Sequence, residues 1–424
     1  MSQRVRALIA AARRPVGRYG AALIEQVFGS LLNFGLNLGL AHLAPADQYG
    51  SIAFWLNTGF ALSSLQAAVT VTHVMVLPAG DALDPHRLST ERLMHAAETV
   101  FLALVGAATL ATTLLAHGAF ATPAAALFVP AFLAQQYLRV LAFSRGRPGF
   151  AAGQSGALAL LALLFVGGLA AFHRTEANLV LLALAAAYGL VSIWGALRLC
   201  GVQWRAGPPV QLRRYGAYAR DAAWVFLGVS SSEVLTRFYS FTVAGWYGPT
   251  PLAALSATQI LLRPIPMVAT TWGMAARPDL LRHAEGGAKR PFVGLVGVAL
   301  VGGIVISGLW TLLVVMAWPA LCRIAFQGKY AQFGWMVALW GVCAGLSFVQ
   351  LALNTALQAL RVFKALALAN TAASIAAASA ILVAMKLYGY GGAVAGTAVG
   401  QALEAVVMAA LLARYVARFG RSGA

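Results

Sequence analysis

Glu233 and Arg237 stand four residues apart, near the middle of an apolar run at 222–247. That spacing puts both on one helical face, where an acid and a base neutralise each other. The same guanidinium is also a fork that can hold an anion while Glu233 tunes it. Both readings stand on spacing alone. Arg263 is placed differently: Gln259 lies one turn before it, no acid lies within four residues, and Pro264 and Pro266 follow. Proline interrupts the helical hydrogen-bond ladder and frees carbonyls, so a kink is expected there. A guanidinium inside an apolar helix needs an anion. For Arg263 the candidates are a substrate phosphate or a carboxylate on another helix, Glu404 or Glu25.

Uncharged polar residues recur at helical spacing. Gln26, Ser30, Asn33 and Asn37 share one arc, as do Ser347, Gln350, Asn354 and Gln358. Thr397, Gln401 and Glu404 form a third stripe, and Asn370 with Ser374 a fourth. Such groups either bond neighbouring helices or line a wet cavity whose amides and hydroxyls would meet sugar hydroxyls. The expected lining is Gln26, Ser30, Asn33, Asn37, Glu233, Gln259, Gln350, Asn354 and Gln401. Glu25 and Glu404 are candidate carriers of H+ or Na+, since a buried carboxyl can change its protonation state. No nucleophile elbow, phosphate loop or metal-ligand cluster occurs, so no catalytic residue, metal or bound cofactor is expected. Cys200, Cys322 and Cys343 show no Cys-x-x-Cys spacing and are expected to pack as small apolar groups. His73 is expected to be a packed histidine, and Gly389-Tyr390-Gly391-Gly392 a tight turn between helices.

The elements that must hold these residues follow from composition. Of 424 residues 60% are apolar and 10% charged, with a mean hydropathy of +0.78. Soluble domains carry roughly 25% charged residues, so a soluble enzyme, a nucleic-acid-binding module and a disordered chain are all excluded. Twelve stretches reach the length a bilayer-crossing helix needs. They lie near 20–43, 50–78, 96–117, 120–142, 149–172, 177–200, 222–247, 250–277, 292–318, 333–360, 362–386 and 390–413. With both termini cytoplasmic, 24 of the 30 Lys and Arg residues fall on the inner side, which also accounts for the net charge of +18. Residues 1–19 read as a basic arm on anionic lipid. The expected organisation is a six-helix lobe at 20–200, a cytoplasmic linker at 201–221, a second lobe at 222–413 and a tail at 414–424. Six spans in each half make the halves parallel repeats, with a substrate site expected between them.

Three segments resemble a known family. Leu43-Ala44-Pro45-Ala46-Asp47-Gln48-Tyr49-Gly50 is similar to the "LGPxxFG" junction of polysaccharide exporters. Asn354-Thr355-Ala356-Leu357-Gln358-Ala359-Leu360 resembles "LNxxLQAxG", with Arg361 where that pattern has a small residue. Tyr388-Gly389-Tyr390-Gly391-Gly392-Ala393-Val394-Ala395-Gly396-Thr397-Ala398 looks like "YGxxGAAxAT". With twelve spans, the likeness covers nearly the whole chain to the oligosaccharide flippases of the MOP (multidrug/oligosaccharidyl-lipid/polysaccharide) exporter superfamily. It implies an all-α polytopic membrane protein of MATE-like fold, with two six-helix bundles around a V-shaped central cavity. It also implies an oligosaccharide on undecaprenyl diphosphate (an O-antigen, exopolysaccharide or capsule repeat unit), moved between leaflets of the bacterial inner membrane by alternating access. That family's cavity is cationic, which suits Arg237 and Arg263 as diphosphate ligands. The expected partners are the lipid-linked oligosaccharide, membrane lipids and other glycan-assembly membrane proteins, and not nucleic acid. The alternative is a cation-coupled multidrug exporter of the same superfamily. A membrane glycan polymerase or ligase is disfavoured, because the largest outer loop, 319–332, is too short to hold a catalytic site.

Overall fold

The structure, a computed structural model, describes residues 3–75, 85–115, 120–200 and 212–417. Residues 201–211 of the expected linker and 418–424 of the expected tail lie outside the described residues, as do residues 1 and 2. The chain forms α1 (Gln3–Leu43), α2 (Ala46–Gln66), a π-helical turn (Ala67–Val71) and α3 (Thr72–Met75). It continues through α4 (Pro85–Leu115), α5 (Ala125–Ser144), α6 (Pro148–Ala171) and α7 (Ala177–Leu199). A 3-10 turn (Leu212–Tyr215) leads to α8 (Gly216–Tyr247), α9 (Pro249–Ile260) and α10 (Pro264–Glu285). The last helices are α11 (Lys289–Phe326), α12 (Gly334–Ala359), α13 (Phe363–Tyr388) and α14 (Gly392–Val416).

Within the described residues each of the twelve expected spans is helical, the one at 250–277 being two helices, α9 and α10, and there is no strand. This is the all-α, polytopic membrane architecture that the apolar runs require. Among the described residues eight segments are long and apolar enough to cross a bilayer by themselves, and the bent pair α9–α10 makes a ninth. One of the eight, Phe363–Val416, folds back at Gly389 and holds two helices, α13 and α14. The remaining two, α1 and α8, are the helices that carry Glu25 with the asparagine stripe and the Glu233–Arg237 pair. Residues 3–19 continue α1 as helix. The chain divides into two compact units, Met1–Phe226 and Leu227–Ala424, so the division falls inside α8.

In the first unit one carboxylate ties three segments together. Glu91 on α4 is buried and accepts from Arg87, 3.0 Å away on the same helix, and from Arg145 at the end of α5. Arg87 also donates to the Ser144 carbonyl at 2.8 Å, and Arg145 to the Leu199 carbonyl at the end of α7. A second buried acid, Glu98, sits two turns further along α4 and accepts from Gln66 Nε2 and Thr70 Oγ1, each at 2.6 Å. Those two donors flank and enter the π turn, and the Tyr215 hydroxyl donates to the Val69 carbonyl within it at 2.8 Å. His73 is buried, with its ring edge-on to Tyr218 at 5.3 Å, as expected of a packed histidine.

In the second unit α14 packs on α13 through glycine. A Cβ on Gly392, Gly396 or Gly400 would fall on Ala384, Ile381 or Ala377 of α13, the first two on backbone atoms. This small-residue stripe at four-residue spacing lets two membrane helices approach closely where lipid offers no hydrophobic drive. Gly389 takes φ +65° in the turn before it. Arg361 takes φ +57° between α12 and α13. The family pattern has a small residue at that position, and a left-handed backbone costs a side-chain-bearing residue roughly 1 kcal/mol. Cys322 and Cys343 are buried free thiols, and Cys200 is half-buried.

Two stability predictions follow from these packings. Glu91→Ala leaves two buried guanidinium groups uncompensated and should cost about 3–5 kcal/mol, measured by denaturant unfolding in detergent. Arg282→Ala, which breaks an exposed pair with Asp279, should cost under about 1 kcal/mol. Equal losses in the two variants would refute the buried clamp. Gly396→Leu should separate α13 from α14 and lower stability by about 1–3 kcal/mol or more, whereas Gly297→Leu, where a Cβ meets open space, should have little effect.

Candidate functional site

The first unit encloses a cavity of about 280 Å³. Helix α1 contributes Glu25, Gln26, Gly29, Ser30 and Asn33, which share a face by their three- and four-residue spacing. Helix α5 contributes Phe132, Gln135, Gln136 and Arg139 on the same principle, with Phe60 from α2, Ser155 from α6 and Tyr188 from α7. Arg139 Nη1 donates to Glu25 Oε1 at 2.8 Å, and Nη2 to Gln136 Oε1 at 2.8 Å. Ser155 adds a third donor to Glu25 at 3.1 Å. The Phe132 ring meets Phe60 edge-on at 5.2 Å and Tyr188 at 5.3 Å, giving a continuous aromatic surface. Gln135 is buried, and its Oε1 has no hydrogen-bond partner among the described residues. A buried acceptor left unmet costs about 1–3 kcal/mol, so the position favours a donor arriving from outside the protein.

Of the expected lining residues, Gln26, Ser30 and Asn33 meet in this cavity. Asn37 lies one turn on: its Nδ2 donates to the Asn33 carbonyl and Oδ1, each at 2.8 Å, and the Tyr49 hydroxyl reaches its Oδ1 at 3.5 Å. Sequence reasoning missed Gln135, Gln136, Ser155 and the aromatic surface, and counted Arg139 among the basic residues of a helix end. The signal was present, since Gln135-Gln136 and Arg139 interrupt an apolar run at three- and four-residue spacing. Their partner Glu25 is 114 residues away and could not be assigned from spacing.

In the second unit Glu233 and Arg237 form the expected pair, with Nε 2.7 Å from the carboxylate. The contact engages the side of the guanidinium, and both groups keep about a quarter of their side-chain surface open. Two residues on, Tyr239 is buried, donates to Gln259 Oε1 at 3.0 Å and packs edge-on to Trp340 at 4.9 Å. Arg263 is half-buried at the break between α9 and α10, where the axis bends by 54° as Pro264 and Pro266 led us to expect. Trp310 Nε1 takes the Leu261 carbonyl freed there at 2.9 Å. Arg237 lies two residues before Tyr239 on α8, and Arg263 lies four residues after Gln259, the acceptor of the Tyr239 hydroxyl. Glu25 pairs with Arg139, and Glu404 accepts from Gln350.

The stripes of α12 and α14 bond each other. Gln350 Nε2 donates to the Gln401 carbonyl at 3.0 Å and to Glu404 Oε2, and Gln401 Nε2 donates to Ser347 Oγ at 3.0 Å. Asn354 stands apart from this chain; it accepts from Gln358 at 2.8 Å, and Gln358 in turn accepts from Arg277 of α10 at 3.1 Å. Ser374 of α13 donates to the Ser231 carbonyl of α8 at 2.6 Å.

The Glu25–Arg139 pair allows a direct test. Glu25→Gln and Arg139→Met should each destabilise the protein, and the double variant should recover part of the loss. The expected coupling is about 0.5–3 kcal/mol, read from unfolding in detergent. Additive losses would show that the pair does not hold α1 to α5.

No protein family's sequence profile matches the chain, and no curated protein matches it in sequence. Among solved structures, it is similar to the inward-facing conformation of a multidrug resistance MATE family transporter of the MOP superfamily. That likeness has a TM-score of 0.67 at 11% identity and covers 95% of this chain and 100% of that one. It is also similar to the lipid II flippase MurJ in an inward closed conformation, with a TM-score of 0.70 at 12% identity over 92% of this chain and 87% of that one. An outward-facing MATE transporter matches with a TM-score of 0.62 at 12% identity, over 95% and 97% of the two chains. The chain is therefore a multi-pass membrane protein with the fold that MATE and MurJ transporters of the MOP superfamily share.

Proposed function

We propose that the chain is a flippase, not an enzyme, that carries an undecaprenyl-diphosphate-linked oligosaccharide from the inner to the outer leaflet of a bacterial inner membrane by alternating access. One observation carries this reading: the buried Tyr239 hydroxyl donates to Gln259, which joins the stretch of α8 that carries Arg237 to the end of α9 that leads into Arg263. Cations are held inside membrane helices at high cost, and a diphosphate would offset that cost through charge-assisted, forked hydrogen bonds. Glu233 engages Arg237 through Nε, which in this reading directs the terminal nitrogens to phosphate. Gln259 and Tyr239 supply neutral hydrogen-bonding groups beside the charge. The basic flanks of the helices set both termini in the cytoplasm by the positive-inside rule.

A cation-coupled multidrug exporter is the second reading. It draws on Glu404, a buried carboxylate held by the Gln350 amide, as a site where H+ or Na+ binding would drive turnover.

In the native host, Arg237→Ala and Arg263→Ala should each cut surface polysaccharide by roughly tenfold or more, from the loss of hydrogen bonds to a charged group. Immunoblots of the membrane fraction should show unchanged protein. Arg263→Lys should recover little, because an ammonium cannot make the bidentate contact. Normal polysaccharide in both alanine variants would overturn the reading, and increased drug efflux with no glycan defect would favour the exporter.

A further inference from the structure

We infer that the cavity of the first unit is a subsite for one neutral pyranose ring, an inference that rests on the flippase reading and names where part of its glycan sits. At about 280 Å³ the cavity is near the lower end of the range for small-ligand pockets. Its contents match the two faces of a sugar. The surface made by Phe60, Phe132 and Tyr188 is apolar and suits the C–H face of a pyranose. Gln26, Ser30 and Asn33 of α1 present amide and hydroxyl groups that both donate and accept, as vicinal hydroxyls require. Gln135, 1% exposed and lining the same space, has at Oε1 an acceptor without a donor. A sugar hydroxyl would complete it.

Charge decides between a sugar and the other ligands a transporter of this fold would carry. Among the described residues the cavity's one acid, Glu25, is compensated by Arg139, which donates from Nη1 to Glu25 and from Nη2 to Gln136. A lipophilic cation would therefore find no uncompensated carboxylate there, and a phosphate would meet a guanidinium whose charge Glu25 already neutralises. A neutral polyhydroxylated ring needs neither.

The test uses the full-length protein in nanodiscs and saturation-transfer NMR against free glucose, galactose, mannose, rhamnose and N-acetylglucosamine, with tetraphenylphosphonium as a cationic competitor. At least one pyranose should receive saturation, strongest on its ring C–H protons. Gln135→Leu, which removes the amide, should reduce that signal at least tenfold. Gly29→Leu should do the same by filling the cavity, since a Cβ at Gly29 meets open space and the helix is left undisturbed. Arg282→Ala, on the exposed pair with Asp279, should leave it unchanged. Absence of saturation for every sugar, persistence in both cavity variants, or displacement by tetraphenylphosphonium would overturn the subsite. Sugar binding that stays intact while the arginine variants export normal polysaccharide would sink the flippase reading and spare the cavity. Loss of export in the arginine variants with no sugar binding would do the reverse.

Discussion

Hydrocarbon cannot solvate an ion, and the placement of nearly every polar side chain described above follows from that constraint. Where two charges meet inside a bundle they are paired and bonded further: Glu25 takes Arg139 and Ser155, and Glu91 takes Arg87 and Arg145. Such pairs gain little net stability over well-packed apolar residues, but losing one partner is costly. They therefore fix which helices are neighbours. The α1–α5 pair and the clamp joining α4 to the ends of α5 and α7 specify the first unit's arrangement in a way that interchangeable alanines and leucines could not.

The second unit meets the same constraint by other means. The Glu233–Arg237 pair is intrahelical and stays partly open. Links between helices of this unit join an amide or hydroxyl to a neighbour, from Ser347 and Gln350 on α12 to Gln401 and Glu404 on α14 and from Gln358 on α12 to Arg277 on α10. Close contact between α13 and α14 comes from glycines instead of ions. Polar groups in this unit thus include those consumed by packing α12 on α14 and, separately, the Tyr239–Gln259 bond between α8 and α9.

Most of the fold was legible in the sequence, because helix length and apolarity are local properties. The twelve spans, the bend at Pro264 and the turn at Gly389 follow from composition and from the backbone preferences of proline and glycine. Residues separated by one helical turn were legible too, as Glu233 and Arg237 show. Partnerships between distant helices were not. The stripe at Gln350 and Gln401 fits a cavity or a helix contact equally well in sequence, and only the packing of α12 on α14 distinguishes them. Arg139 looked like one more basic residue at a helix end until α1 placed Glu25 against it. The Arg361 departure from the family pattern gained its meaning from a backbone angle, which no residue list contains.

The π turn in the second span carries one residue more than a regular helix would. Such a surplus is free to migrate along a helix when nothing pins it, and each residue it passes would turn by about 100°. Here Gln66 on one flank and Thr70 within the turn are both tied to the same carboxylate, Glu98, on a neighbouring helix. The defect is anchored at one address, so His73 and Val74 beyond it keep a fixed bearing toward the interior. One carboxylate on a neighbouring helix thereby serves as the index mark for the point where the second span changes phase.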